Sequence, residues 1–141
     1  MTPRLRLEVI TPDRIVVTTE AESLRVQLSD GWWGILPGHA PFLARVVFGL
    51  LHYQRAGETR YVALYQGTVE VQKRPGEQDR VLVLTAAAEE GGDRATVHQA
   101  LERQAADRAR LAREANLEAT QARAALEHAL REAAATQNRG R

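Results

Sequence analysis

Apolar and polar positions alternate with period two through the first half of the chain. Leu5, Leu7 and Val9 alternate with Arg6 and Glu8, Leu24, Val26 and Leu28 with Arg25 and Gln27, and Val69 and Val71 with Glu70 and Gln72. This spacing predicts strands with one buried and one solvated face. Thr11-Pro12-Asp13, Ser29-Asp30-Gly31, Arg55-Ala56-Gly57-Glu58 and Arg74-Pro75-Gly76-Glu77 punctuate the runs as turns. Ala56-Gly57, between residues 51–55 and 59–65, predicts a hairpin. Val81-Leu82-Val83-Leu84 does not alternate and reads as a strand covered on both faces. Many short strands at regular spacing predict an all-β sandwich or barrel over residues 1–90.

The period changes after Gly91-Gly92. Leu101, Ala105, Ala109, Ala112 and Ala115, then Ala119, Ala122, Leu126, Ala129 and Ala133, adopt helical spacing. Asp93 is a candidate N-cap, and Thr96 with Gln99 a competing capping box. Every aromatic and every proline precedes Gly91, and the residues beyond it are mostly Ala, Arg, Glu and Leu. Aromatic and β-branched residues suit pleated surfaces, whereas Ala, Leu, Arg and Glu favour helix. The step divides the chain into a β domain, residues 1–90, and an α-helical domain, residues 91–141. The alanine stripe buries little area, so the helical part is expected to pack weakly on the sheet. A break near Asn116 would give two antiparallel helices, and one long helix is the competing reading. Residues 136–141 are expected to fray.

Charge and composition narrow the function. The 141 residues carry a net charge of +1, which supplies no overall attraction for nucleic acid. The absence of cysteine removes disulfides and thiolate metal sites. No apolar run approaches the ~20 residues of a membrane-spanning helix, and no signal-like apolar region precedes Leu5. The expectation is a soluble, unexported protein attached peripherally to something larger.

Catalytic chemistry is hard to find. His39, His52, His98 and His128 show no mutual i, i+4 spacing and read as structural or solvated. Ser23 and Ser29 are not in a nucleophile elbow. The densest feature is Gly31-Trp32-Trp33-Gly34-Ile35-Leu36-Pro37-Gly38-His39-Ala40-Pro41, a turn-rich stretch between strands. It lacks the Gly-Lys-Ser/Thr ending of a phosphate cradle. Adjacent Trp32 and Trp33 on a strand face opposite ways, so the pair reads either as core or as an exposed interface anchor. Interleaved acids make the helical arginines a solvated face.

Gly34-Ile35-Leu36-Pro37-Gly38-His39-Ala40-Pro41 resembles the signature of the epsilon subunit family of F-type ATP synthases. The strand ending in Thr11-Pro12, the Gly67-Thr68-Val69-Glu70-Val71 stretch and the Ala/Glu/Arg-rich tail agree with it. The resemblance implies a sandwich of about ten strands and a helical hairpin. It further implies a non-catalytic rotor subunit, without cofactor, coupling the gamma subunit to the c-ring of a proton- or sodium-translocating enzyme. Its place would be the cytoplasmic face of the bacterial inner membrane. Carried over by position, Trp32, Trp33, Gly34, His39 and Pro41 become partner contacts. This chain has Trp32-Trp33 where the family commonly has a glutamate-containing stretch, which suggests an aromatic contact in place of a charged one. The family's tail can extend into the alpha/beta catalytic head and restrain ATP hydrolysis, which makes Arg123, Arg131 and Arg139 candidate regulatory contacts. Gly92-Asp93-Arg94-Ala95 departs from the ATP-binding motif of some members at the aliphatic position and in the arginine spacing, which argues against nucleotide binding. Gly-Asp, with Ala-Thr shortly after it, resembles the divergent, alternate-operon type. The rival reading is a free-standing β-sandwich adaptor with a coiled-coil tail.

Overall fold

The computed structural model describes residues 3–139, the side chain of Arg139 excepted. Within these residues seven strands precede one helix: β1 (Leu5–Ile10), β2 (Ile15–Ala21), β3 (Ser23–Leu28), β4 (Gly31–Ile35), β5 (Phe42–Arg55), β6 (Glu58–Gln72), β7 (Arg80–Gly91) and α1 (Arg94–Arg139). The strands hydrogen-bond in the order β2-β1-β7-β6-β5-β3-β4. Neighbours are antiparallel except β1 and β7, which run parallel.

A single sheet makes a sandwich here because its three longest strands bend along one transverse row. Pairing passes from Val46↔Gly67 to Phe48↔Tyr65, and from Tyr65↔Ala87 to Gly67↔Thr85, leaving Val47, Gln66 and Ala86 out of the ladder. Gln66 takes a φ of 48°, and the side-chain parity flips at this row. In β6, Val62 and Leu64 face the core before the bend, and Val69 and Val71 after it. β5 switches likewise from Val46 to Leu51 and Tyr53, and β7 from Val83 to Ala88. The Thr85 hydroxyl sits at the bend, within reach of the Tyr65 carbonyl at 2.7 Å and the Ala87 carbonyl at 3.0 Å. Gly67 is required there. A Cβ would lie 2.1 Å from the Leu84 carbonyl oxygen and 2.7 Å from Thr85 Cα, both backbone atoms that cannot move aside.

The first layer is β2, β1 and the halves of β7, β6 and β5 on one side of the bend. The second is their other halves with β3 and β4. Strand count therefore differs from the expected ten: the described residues form seven strands, three of which serve both layers. Leu5, Leu7, Val9, Leu24, Val26, Ile35, Leu51, Val62, Leu64, Val69, Val71, Val81 and Val83 fill the space between the layers. Each such side chain contributes about 1.5–3 kcal/mol on burial. The Ala56-Gly57 hairpin forms, with both residues at positive φ (51° and 81°) and Arg55 paired to Glu58, as a two-residue type I′ turn demands. The reading of residues 81–84 as covered on both faces is corrected: Val81 and Val83 are buried, but Leu84 is 47 % exposed. An apolar side chain on the solvent side breaks the sequence alternation without a second layer to cover it.

α1 starts at an Asp93 cap. Its Oδ2 accepts from the Thr96 amide at 3.0 Å and from the Thr96 hydroxyl at 2.8 Å, and these bonds, the hydroxyl first, hold the carboxyl below its usual range. The hairpin at Asn116 does not form, because the helix runs unbroken from Arg94 to Arg139. Asparagine costs only a fraction of a kcal/mol in a helix, roughly 0.7 at most, and no glycine or proline lies between Gly92 and Gly140. Helix also replaces the expected fraying over residues 136–139, while 140–141 lie outside the described residues. The first turns do not pack weakly: Val97 and Leu101 are buried with Leu50, Ala63 and Ala87 on the outer face of the second layer. Residues 105–138 are exposed throughout. Compactness divides the chain between Gln104 and Ala105.

Candidate functional site

The glycine- and proline-rich stretch is half strand and half turn. Residues 31–35 form β4, an edge strand paired, among the described residues, with β3 alone, with Val26↔Trp33 and Gln27↔Trp32 in register. Leu36-Pro37-Gly38-His39 is a type II turn, with proline at the second position, Gly38 at φ 89° and His39 N–H donating to Leu36 O at 3.0 Å. The turn is anchored from outside. The Gly38 amide donates to Asp79 Oδ2 at 2.8 Å, and Lys73 Nζ donates to the same oxygen at 2.7 Å. These two donors, Lys73 first, hold the Asp79 carboxyl below its ordinary range. The signature turn is thereby fixed to the β6–β7 connection. Gly34 has open space around it and an ordinary φ, so its glycine is not a backbone requirement.

The two tryptophans serve opposite faces. Trp33 stacks on Phe42 with centroids 5.5 Å apart, and its Nε1 donates to Asp30 Oδ1 at 2.9 Å. His39 lies 5.3 Å from Phe42, so Trp33, Phe42 and His39 form one aromatic corner beside the exposed Pro41. Trp32 instead lies 5.5 Å from His52, which in turn lies 5.8 Å from Tyr61, and the Arg94 guanidinium sits 6.0 Å over its ring. Trp32 and Trp33 remain 39 % and 40 % exposed. The structure brings together Trp33, His39 and the turn, and separates Trp32 from them by the thickness of the sheet. Burial, then the charges of Arg25 and Arg94, push the His52 imidazole below its ordinary range.

A second surface escapes a reading of the sequence. On the outer face of the first layer, Leu43 and Val47 are 68 % and 60 % exposed, with Leu84 in the next strand but one. Open depressions of about 400 Å³, lined by Ile10, Pro12 and Leu84 among others, and about 540 Å³, lined by Leu43 and Arg45, flank Gln66. The opposite end of this face is ionic: Arg80 meets Glu8 at 2.6 Å, and Arg4 meets Glu20 at 3.1 Å. Continuous apolar runs in β5 and β7 hide this face, since period two cannot mark a wet side that is itself apolar.

On α1, Arg123 and Arg131 are exposed, and the Arg139 side chain lies outside the described residues. His98 and His128 each meet a glutamate one turn on, Glu102 at 3.0 Å and Glu132 at 3.1 Å. Their i, i+4 spacing is the sequence signal for these pairs. Among the described residues no group of three or more His, Asp or Glu is placed to hold a metal ion, and no helix is long and apolar enough to cross a membrane.

Residues 4–91 match the family model described as ATP synthase, Delta/Epsilon chain, beta-sandwich domain. A protein named ATP synthase epsilon chain from Koribacter versatilis is 39 % identical over 89 residues, covering 63 % of this chain and 59 % of its own length. The epsilon chain of Syntrophobacter fumaroxidans is 32 % identical over 130 residues, covering 92 % and 93 %. A chain in the Euglena gracilis mitochondrial ATP synthase assembly of OSCP, F1 and c-ring shares the fold, with a TM-score of 0.55 and 19 % identity over 73 % of this chain and 64 % of that one.

Proposed function

Since the chain belongs to the ATP synthase delta/epsilon family, we propose that it is a non-catalytic central-stalk subunit of a bacterial F-type ATP synthase, driven by protons or sodium ions. The observation that carries this reading is the match to a bacterial epsilon chain over nearly the whole length, the helical segment included. In this role the sandwich couples rotation between the gamma subunit and the c-ring, peripheral to the cytoplasmic face of the inner membrane. A coupling element must transmit force without yielding. A turn clamped by Asp79 and a sheet that continues from one layer into the other suit that task.

The apolar outer face of the first layer, Leu43, Val47 and Leu84, is the seat for gamma. The edge made by Trp33, Gly34, His39 and Pro41 is the seat for the c-ring loop, with Trp32 contributing from the opposite face of β4. The exposed aromatic replaces a charged contact by apolar burial. The helical tail restrains ATP hydrolysis when Arg123, Arg131 and Arg139 meet acidic groups of the alpha/beta head. Deleting residues 105–141 is the test of the tail: ATP hydrolysis by the assembled complex is expected to rise several-fold. An unchanged rate with the truncated subunit bound contradicts the regulatory role. For the c-ring edge, Trp33→Phe, which keeps the stack on Phe42, is expected to weaken association with the c-ring while preserving the fold, and undiminished affinity counts against that assignment.

A further inference from the structure

Burial along α1 changes within a single turn. Val97 and Leu101 are each 1 % exposed, packed with Leu50, Ala63 and Ala87. Gly91 permits the close approach, since a Cβ there would meet Val97 Cγ1 at 2.9 Å. His98 stands edge-on to Phe48 at 5.2 Å, the Arg94 guanidinium covers Trp32, and Gln104 Nε2 donates to Glu89 Oε1 at 3.1 Å. From Ala105 to Asn138 every side chain is exposed, with Leu111, Leu117, Leu126 and Leu130 each more than half so. The two stretches are therefore held by different forces. Apolar burial and side-chain contacts hold the first to the sheet, and helix propensity with i, i+4 pairs sustains the second.

We infer that residues 94–104 are a fixed lid on the outer face of the second layer, and that the regulatory tail starts at Ala105 rather than at the start of the helix. The functional meaning of this boundary rests on the tail reading above. A switch that lifted the whole helix would bare Leu50, Ala63, Ala87, Val97 and Leu101 to water on every cycle. A switch that moves only residues from Ala105 onward exposes none of them. The stability of the sandwich and the position of the tail are then independent, and a tail can change partner without loosening the rotor.

Two measurements on the full chain test this. In native-state hydrogen exchange, amides of residues 98–104 should exchange with the slow strands β5–β7, at least ~100-fold more slowly than residues 106–138. Equal rates on either side of Gln104 overturn the lid. The chain has no cysteine, so Glu89→Cys with Gln104→Cys can be joined cleanly by a short bis-maleimide. In the assembled complex the joined subunit should restrain hydrolysis as fully as the same variant capped with a monofunctional maleimide. Loss of restraint only on joining shows that residues 94–104 must lift, and overturns the inference. If the unmodified subunit exerts no restraint at all, the tail reading falls while hydrogen exchange still decides for or against the lid.

Discussion

Gly67 sets the bend on which the sandwich depends. Its missing Cβ leaves room for the Leu84 carbonyl and Thr85 Cα, and the αL backbone of Gln66 beside it reverses the parity of the strand. Gly67→Ala should cost about 2–4 kcal/mol, since the obstruction is backbone. Gly34→Ala, with nothing within 4 Å, should stay within about 0.5 kcal/mol. Urea denaturation of the two variants checks the contrast. From the sequence alone Gly34 carries the motif and Gly67 is one residue in a strand, because close approach depends on neighbours far along the chain. His52 gives the fold a pH dependence at the same scale. Burial, Arg25 and Arg94 lower its folded pKa. The unfolded chain, with an ordinary value of about 6.5, then takes up the proton first. Stability from this group is full above about pH 6.5 and falls as the pH drops from there through the lower folded value. His52→Gln should flatten the midpoint of denaturation between about pH 7 and 5, and a parallel fall in both proteins refutes the assignment.

Among the elements, the strands with mixed polarity are legible in the sequence and those with apolar outer faces are not. β1, β3 and the second half of β6 keep their alternation residue by residue. β7 reads as doubly covered because Leu84 is apolar, yet it faces solvent, and the surface it shares with Leu43 and Val47 is the proposed seat for gamma. The two-residue hairpin at Ala56-Gly57 is visible, since its turn chemistry is local. The signature turn is visible as a motif, but its anchor Asp79 is not, because the two are 41 residues apart. The helix shows the limit of propensity in the other direction. Asparagine is a weak breaker, and with strong helix formers on both sides the hairpin reading at Asn116 yields to one continuous element. Asn116→Pro separates the two cases. In a continuous helix it costs about 3 kcal/mol of local stability and lowers far-UV helicity, whereas at a hairpin turn it is tolerated. Circular dichroism with exchange rates on either side of residue 116 reads the outcome.

At the scale of the whole molecule, one unit is packed and the other exposed. The sandwich with its first helical turns has a filled core, a clamped turn and one apolar outer face. The remainder of the helix has exposed leucines and arginines and, among the described residues, no buried side chain. The proposed rotor coupling asks for the first and the proposed regulation by the tail for the second. The family and its sandwich class are legible in the sequence because the signature turn and the composition step are local. The face proposed as the seat for gamma is not, since it joins Leu43 and Val47 of β5 to Leu84 of β7, far apart in the chain. The most direct measurement is a calorimetric titration of the cognate gamma subunit with the full chain, its Leu84→Asp variant and its Glu114→Gln variant. A rotor subunit with gamma seated on the first layer should bind tightly as wild type, at least ~10-fold more weakly as Leu84→Asp with its fold intact, and without change as Glu114→Gln. Absence of binding by the folded wild type contradicts the rotor assignment, and undiminished binding by Leu84→Asp contradicts the placement of gamma on the first layer.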